Sequence, residues 1–293
     1  MAANTRDIRR RIKSVKNTSQ ITKAMQMVAA AKMRKAQQVA LAGRAYAELL
    51  SKVLKSVASG AEEGAHELLK AREVKKELVI VISPDKGLCG ALNTNLFREV
   101  AKFDVSKTVF VAAGRKATQF LARTNRNLIA EFELRDSPSF LETKAIGKFA
   151  MEKFVSGEVD KVSVVFTDFI NTLSQVPKAR AILPITSLEV TSGIGGAMEE
   201  AKVVTEDTTE YLFEPNINDV LSAVLPHHVF FQVYQMVLDA RASEHSARMV
   251  AMKSATDNAK QLIKDLTLEY NKVRQAAITT ELLEITTAQM ALA

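Results

Sequence analysis

The sequence predicts an α/β protein with two parts. One is a long antiparallel coiled coil of the N- and C-terminal helices; the other is a central Rossmann-like α/β domain with a mostly parallel sheet. Three observations carry this. All six prolines and all eleven glycines of the 293 residues lie between Gly43 and Pro226, so helix breakers are confined to the middle. Apolar residues at both ends recur at steps of three and four, whereas the middle switches to short runs of Val, Ile and Phe. Those runs alternate with helix-like stretches, the order expected of a parallel sheet covered by helices.

The N-terminal helix is expected over 1–60. Its apolar positions are Ile8, Ile12, Val15, Met25, Val28, Val39, Leu50, Leu54 and Val57, with a polar gap over Asn17 to Gln20. Ala29, Ala30 and Ala31 make one face narrow, which permits close approach of a partner helix. The central domain is expected over 76–205. Its strands are Glu77–Ser83, Thr108–Gly114, Leu128–Leu134 and Lys161–Phe169; its helices are Ala91–Phe103, Arg115–Thr124 and Ser139–Val155. Gln175–Ile185 and Tyr211–Phe213 are candidate edge strands. Thr191–Gly196 reads as a loop and Glu199–Glu210 as an acidic connector.

The C-terminal helix is expected over 210–293. Its stripe runs through Val229, Val233, Met236, Ala240, Ala247, Val250, Ala259, Ile263, Leu266, Tyr270, Val273 and Ala277. Balanced charges suggest an outer face laced by ion pairs. Pro226 belongs in the first turns or marks a kink. From His227 onward the run would span roughly 100 Å as helix. Such a length must bury its stripe on another element, and the other end of the chain is the nearest candidate.

Charge is uneven. The net value is +7, yet the first 55 residues alone carry about +11. A basic arm calls for an acidic partner. One reading is a basic coiled coil that binds nucleic acid, but the few aromatics and the absence of Trp and of a groove-reading motif argue against it. No apolar run approaches the roughly 18 residues of a membrane span. The opening MAANTRDIRRR lacks an apolar signal core, so no export is expected. Cys89 is the single cysteine, which excludes an internal disulfide and fits a reducing compartment.

No catalytic residue, cofactor or metal site is expected. His66, His227, His228 and His245 lack metal-ligand spacing, and no activated-serine motif occurs. Ser83–Gly90 follows the first strand and opens a helix, the place where phosphates sit in dinucleotide folds. It lacks both the GxGxxG and the GxxxxGK[ST] patterns, and Asp85 and Lys86 would crowd a pyrophosphate. It reads instead as a tight turn with Gly87 and Gly90 supplying backbone freedom.

Three stretches, IRRRIKSVKNTSQITKAMQMVAAAKMRKAQ from Ile8, DKGLCGALNTNL from Asp85 and ARMVAMKSATDNAKQLIKDLTLEYNKVRQAAITTELL from Ala247, together resemble the gamma subunits of F-type ATP synthases. Tyr211–Pro215 and Val233–Gln235 fit the same family. The resemblance implies a non-catalytic central stalk with its terminal helices inside a ring of three alpha and three beta subunits. It also implies a foot that binds the epsilon subunit and the ring of c subunits. One copy per ring, no nucleic acid, and only indirect membrane attachment would follow. The expected location is the cytoplasmic face of a bacterial plasma membrane, or its matrix or stroma equivalent. Residue by residue, the resemblance places Met25, Arg34, Lys35, Arg248, Arg274, Gln275, Thr279, Glu281 and Glu284 against the beta ring. It places Asp85, Lys86, Gly87 and Cys89 in the foot near epsilon and the c ring. Ala288-Gln289 departs from the Gly-Ala pair common near the family's C-terminal tip.

Overall fold

The computed structural model describes residues 5–43, 46, 49, 50, 52–54, 56, 66–185, 214 and 216–292. The expectations for Thr191–Gly196, Glu199–Glu210 and Tyr211–Phe213 lie outside the described residues, as do residues 57–65 ahead of the first strand. The chain forms two compact units: a head, Ala30–Arg248, and a rod, Met1–Ala29 with Met249–Ala293. Two helices contribute to both, α1 (Thr5–Ala42) and α5 (Ile217–Leu292).

The head is built on a five-stranded sheet. Its strands are β1 (Glu77–Ile82), β2 (Thr108–Ala113), β3 (Leu128–Phe132), β4 (Lys161–Phe169) and β5 (Gln175–Leu183), in the order β3-β2-β1-β4-β5. The first four pair parallel, and β5 returns antiparallel along β4. Every residue from Leu78 to Ile82 is buried, as a central strand covered on both faces must be. On one face, α2 (Leu92–Ala101) and α3 (Arg115–Arg123) pack Leu96, Val100, Ala117 and Leu121 onto Val79, Val81, Phe110 and Val165. Phe97 and Phe120 stack there with centroids 4.4 Å apart. On the other face, α4 (Phe140–Val155) and the first third of α5 cover Ile80, Val111, Val162 and Val164 with Ile146, Phe154, Val229 and Val233.

Local chemistry sets the element ends. Ser139 caps α4 by accepting the Glu142 N–H, so the helix begins one residue later than its Ser-x-x-Glu signal. Gly114 opens α3 at φ 117°, and a Cβ there would lie 2.2 Å from the Ser83 carbonyl oxygen, so no larger residue fits. Gly147 lets α4 approach α5: a Cβ would meet the Phe230 ring at 2.7 Å. Pro226 lies inside α5, in its third turn, rather than at its start.

Within the head, α1 and α5 run antiparallel. Gln235 donates to the Ala40 carbonyl, Gly43 lies against Phe231, and Tyr46 bonds His227 at 2.6 Å. From His228 to Ser246 every residue of α5 except Tyr234 is buried, so the helix is covered on all sides here. The expected ion-pair-laced outer face is absent from this stretch, and Asp239, Arg241 and Glu244 are interior groups.

The rod has its own regularity. On α1 the less exposed positions include Ile8, Ile12, Val15, Ser19, Thr22, Gln26 and Ala29; on α5 they include Met252, Thr256, Ala259, Ile263, Leu266, Tyr270 and Val273. Both series step alternately by four and three, the 3.5-residue period of a left-handed coiled coil. The polar gap over Asn17 to Gln20 does not interrupt this seam, because Ser19 and Thr22 lie in it. The Thr22 and Thr256 hydroxyls meet at 2.7 Å while each also reaches a carbonyl of its own helix. Beyond Val273, every residue from 274 to 291 is exposed.

Candidate functional site

Parallel strands send their following loops to one edge of the sheet. The position beside β1, where the strand order reverses, is where α/β folds hold ligands. In this head α5 occupies it. Arg241 and Glu244 are 3% and 4% exposed and bond at 2.8 Å. Arg241 also donates to the Leu134 carbonyl after β3, at 2.8 Å, and lies 3.5 Å from the Asp85 carboxylate after β1. Arg248 donates to the Glu244 carboxylate at 2.9 Å and to the Lys86 and Gly87 carbonyls. Ser243 and Ser246 donate to the Thr167 and Thr172 carbonyls at the end of β4. Two turns of helix are thereby bonded to the ends of three strands.

This geometry is the opposite of a phosphate cradle. A phosphate loop aims backbone N–H groups at an anion. Here the Lys86, Gly87 and Leu134 carbonyls face arginine cations. The crevice is filled by the protein's own helix, and its polarity suits a guanidinium. Left-handed backbone angles fall at Leu88 (φ 63°) and Gly90 (φ 61°); Gly87 does not use its freedom, contrary to expectation.

The predicted residues separate into two groups. Asp85, Lys86, Gly87 and Cys89 stand in one loop, and Arg248 donates to the Lys86 and Gly87 carbonyls of that loop. Cys89 is buried, so it supports the loop from within and offers no surface to a partner. Burial pushes its thiol pKa up, and it stays protonated at neutral pH. Met25 is half-buried, and Arg34, Lys35, Arg274, Gln275, Thr279, Glu281 and Glu284 are all exposed. Arg241, Glu244 and Asp136 carry no site signal in the sequence, and His245 enters there only as one of four histidines without metal-ligand spacing. His245 is buried beside Arg248, and burial lowers its pKa. Asp136 binds Lys32 of α1, whose ammonium hydrogen bond holds the carboxyl below its usual range. Among the described residues no cluster of three or more His, Cys, Asp or Glu could hold a metal, and no helix is long and apolar enough to cross a membrane.

A family model described as ATP synthase matches residues 4–292. The chain is 51% identical to the ATP synthase gamma chain of Opitutus terrae and 48% identical to that of Methylacidiphilum infernorum, with 99% of each chain covered in both cases. The chain belongs to the ATP synthase gamma chain family. It is similar in structure to a chain of the Tetrahymena thermophila mitochondrial ATP synthase central stalk and c ring, with a TM-score of 0.61 and 26% identity. That match covers 80% of this chain and 99% of the other. A chain of the Euglena gracilis mitochondrial ATP synthase shares the fold at a TM-score of 0.67 and 21% identity, covering 98% of this chain and 94% of its own. Gamma chains are non-catalytic stalk subunits.

Proposed function

We propose that this gamma-family chain is the non-catalytic rotor of an F-type, proton-translocating ATP synthase. It couples rotation of a c ring to conformational change at catalytic beta subunits, where ATP is made. The observation that carries this reading is α5 itself. One continuous helix of 76 residues is bonded into the head through Arg241 to Arg248, and it is exposed on every side from 274 to 291. Torque applied to the head enters the helix through a fixed joint. An exposed end carrying Ile278, Leu282 and Ile285 needs a surrounding partner.

In this reading one copy sits in a ring of three alpha and three beta subunits. Met25, Arg34, Lys35, Arg274, Gln275, Thr279, Glu281 and Glu284 face that ring. Three sites of one sequence differ only if something asymmetric touches each differently, and a single off-axis rod does so. Arg248 faces the ring as well. Asp85, Lys86 and Gly87, with the buried Cys89 beneath them, form the foot loop near epsilon and the c ring. Attachment to a membrane is peripheral, through the c ring, on the cytoplasmic face or its organellar equivalent.

Co-expression with alpha and beta subunits tests the reading. The expected product is a complex with one copy of the chain per three alpha–beta pairs, whose ATP hydrolysis drives proton pumping once epsilon and the membrane sector are restored. A chain that stays out of that complex, yet binds DNA with a steep salt dependence, is instead the basic nucleic-acid-binding coiled coil.

A further inference from the structure

The starts of β1, β2, β3 and β4 lie along one edge of the sheet, because these strands are parallel. Each start exposes a β-branched apolar side chain: Val74 before β1, Val105 before β2, Ile129 in β3 and Val155 at the end of α4, ahead of β4. All four are 41–51% exposed. Backbone bonds tie the lead-in segments together. The Glu77 N–H donates to the Lys107 carbonyl at 2.9 Å, that of Phe110 to Asn127 at 2.7 Å and that of Asp160 to Lys76 at 2.9 Å. The edge is therefore one firm platform carrying four spaced apolar points.

Its charge is unbalanced. Residues 72–76, 102–107, 123–127 and 155–160 hold seven Lys and Arg against four Asp and Glu. Three of the four carboxylates are already engaged. Asp160 accepts the Lys75 and Lys76 backbone N–H groups, Asp104 accepts from Ser106, and Glu158 pairs with Lys153; the fourth, Glu73, is exposed. Two arginines turn inward: Arg72 donates to the Phe154 carbonyl and lies over the Phe154 ring, and Arg126 donates to the Phe103 carbonyl and lies over the Phe110 ring. Lys75, Lys76 and Lys107 are exposed, and their ammonium groups form no ion pair among the described residues.

The chemistry of the edge selects its occupant. Protein interfaces are anchored by aromatic side chains and arginine, and lysine is depleted from them. Here Arg72 and Arg126 are spent on the head itself, the Phe110 and Phe154 rings are buried beneath them, and backbone groups of the lead-in segments bond one another. What remains is free lysine interleaved with short apolar side chains. An ammonium on a flexible stem is a point charge that follows mobile phosphate groups without a fixed geometry. Apolar points rimmed by charge suit shallow insertion between headgroups. We propose that this edge docks on an anionic lipid surface, with Lys75, Lys76 and Lys107 against lipid phosphates and Val74, Val105 and Val155 set between them. This adds a direct membrane contact to the attachment through the c ring.

The test labels the full chain with a fluorophore on Val74→Cys, Val105→Cys or Val155→Cys; the native Cys89 is buried and stays unlabelled. Leu173→Cys, in the β4–β5 hairpin at the opposite edge, is the control. Vesicles of phosphatidylcholine, with or without phosphatidylglycerol, carry a nitroxide lipid as quencher. The basic first 55 residues attract any anionic vesicle, so the position of quenching is the readout, not binding alone. Quenching is expected at the three edge positions with phosphatidylglycerol present, and neither at Leu173→Cys nor on phosphatidylcholine alone. Equal quenching at Leu173→Cys, or none at the edge, overturns the proposal. Lys75→Gln, Lys76→Gln and Lys107→Gln should each raise the lipid concentration for half-quenching about fivefold and leave melting unchanged; an unmoved midpoint also overturns it. In the assembled complex with its membrane sector, an edge label reached by neither the nitroxide lipid nor soluble iodide would mean that a protein covers the edge, which overturns the lipid assignment.

Discussion

Head and rod use the same charged residues in opposite ways. In the head, Arg241 and Glu244 are nearly inaccessible and join the helix to three loops. In the rod, Asp257 and Lys260 are 58% and 60% exposed and touch only each other along one helix. The chemistry is alike, but the surroundings differ. A buried ion has no water to fall back on, so its partners are obligatory; an exposed ion exchanges its partner for solvent at almost no cost. The head therefore adds obligatory buried ion pairs to its apolar core, whereas the rod keeps its charges outside a seam of apolar and small polar side chains.

The largest effect should come from breaking the head's network on one side only. Arg241→Met leaves Glu244 buried with Arg248 alone and is expected to cost roughly 3–5 kcal/mol. Hydrogen exchange locates the loss: strand amides of the head should lose protection while amides of residues 8–29 keep theirs. Equal loss in both would mean that the head and rod do not unfold separately.

Acid provides the second contrast. All four histidines lie in the head and none in the rod. His228 is fully buried, and burial, with the nearby Arg180 charge, holds its pKa down to about 4. Its folded pKa is below the unfolded value, so the neutral ring favours the fold. That stability is complete above pH ~6.5 and is lost as the pH falls toward 4, by roughly 3 kcal/mol. Urea melts of the head across this range should show the slope, and His228→Leu should flatten it. An unaltered slope in that variant would assign the acid sensitivity to another group.

Smaller effects belong to the rod. Thr256→Val removes one hydroxyl of the seam and should cost about 1 kcal/mol, because Thr22 keeps a polar group against an apolar wall. The double change Thr22→Val with Thr256→Val should be close to neutral. A double-mutant cycle on thermal melts reads the difference, and additive losses would show that the two hydroxyls do not cooperate. Least of all, Lys260→Gln should change stability by no more than about 0.5 kcal/mol.

The parts of the fold governed by local rules were legible. β4 spans Lys161–Phe169, as its run of Val and Phe indicates, and the other strands end within two residues of expectation because Gly, Pro and Ser punctuate them. The Gly- and Pro-free ends are helices for the same reason. What failed depends on tertiary placement. Asn17–Gln20 reads as a break in the stripe, yet Ser19 and Thr22 fit the seam because a small hydroxyl can bond its own helix. Arg241 and Glu244, three apart on a helix, look like an ordinary surface pair. The signal available was the apolar surroundings of that pair, with Val237, Leu238, Ala240 and Ala242 leaving the helix no clearly polar side. At Leu88 nothing local announces a left-handed angle; the bonds that hold the loop come from Arg248, 160 positions away in the chain.

The strict alternation of four and three along Ile8 to Ala29 and Met252 to Val273 has a mechanical corollary. It winds two strands in one hand only, and a wound pair is not symmetric under twist. Torsion in one sense draws the strands tighter; the reversed sense pries them apart. A shaft built this way should be stiffer when driven in one direction than in the other.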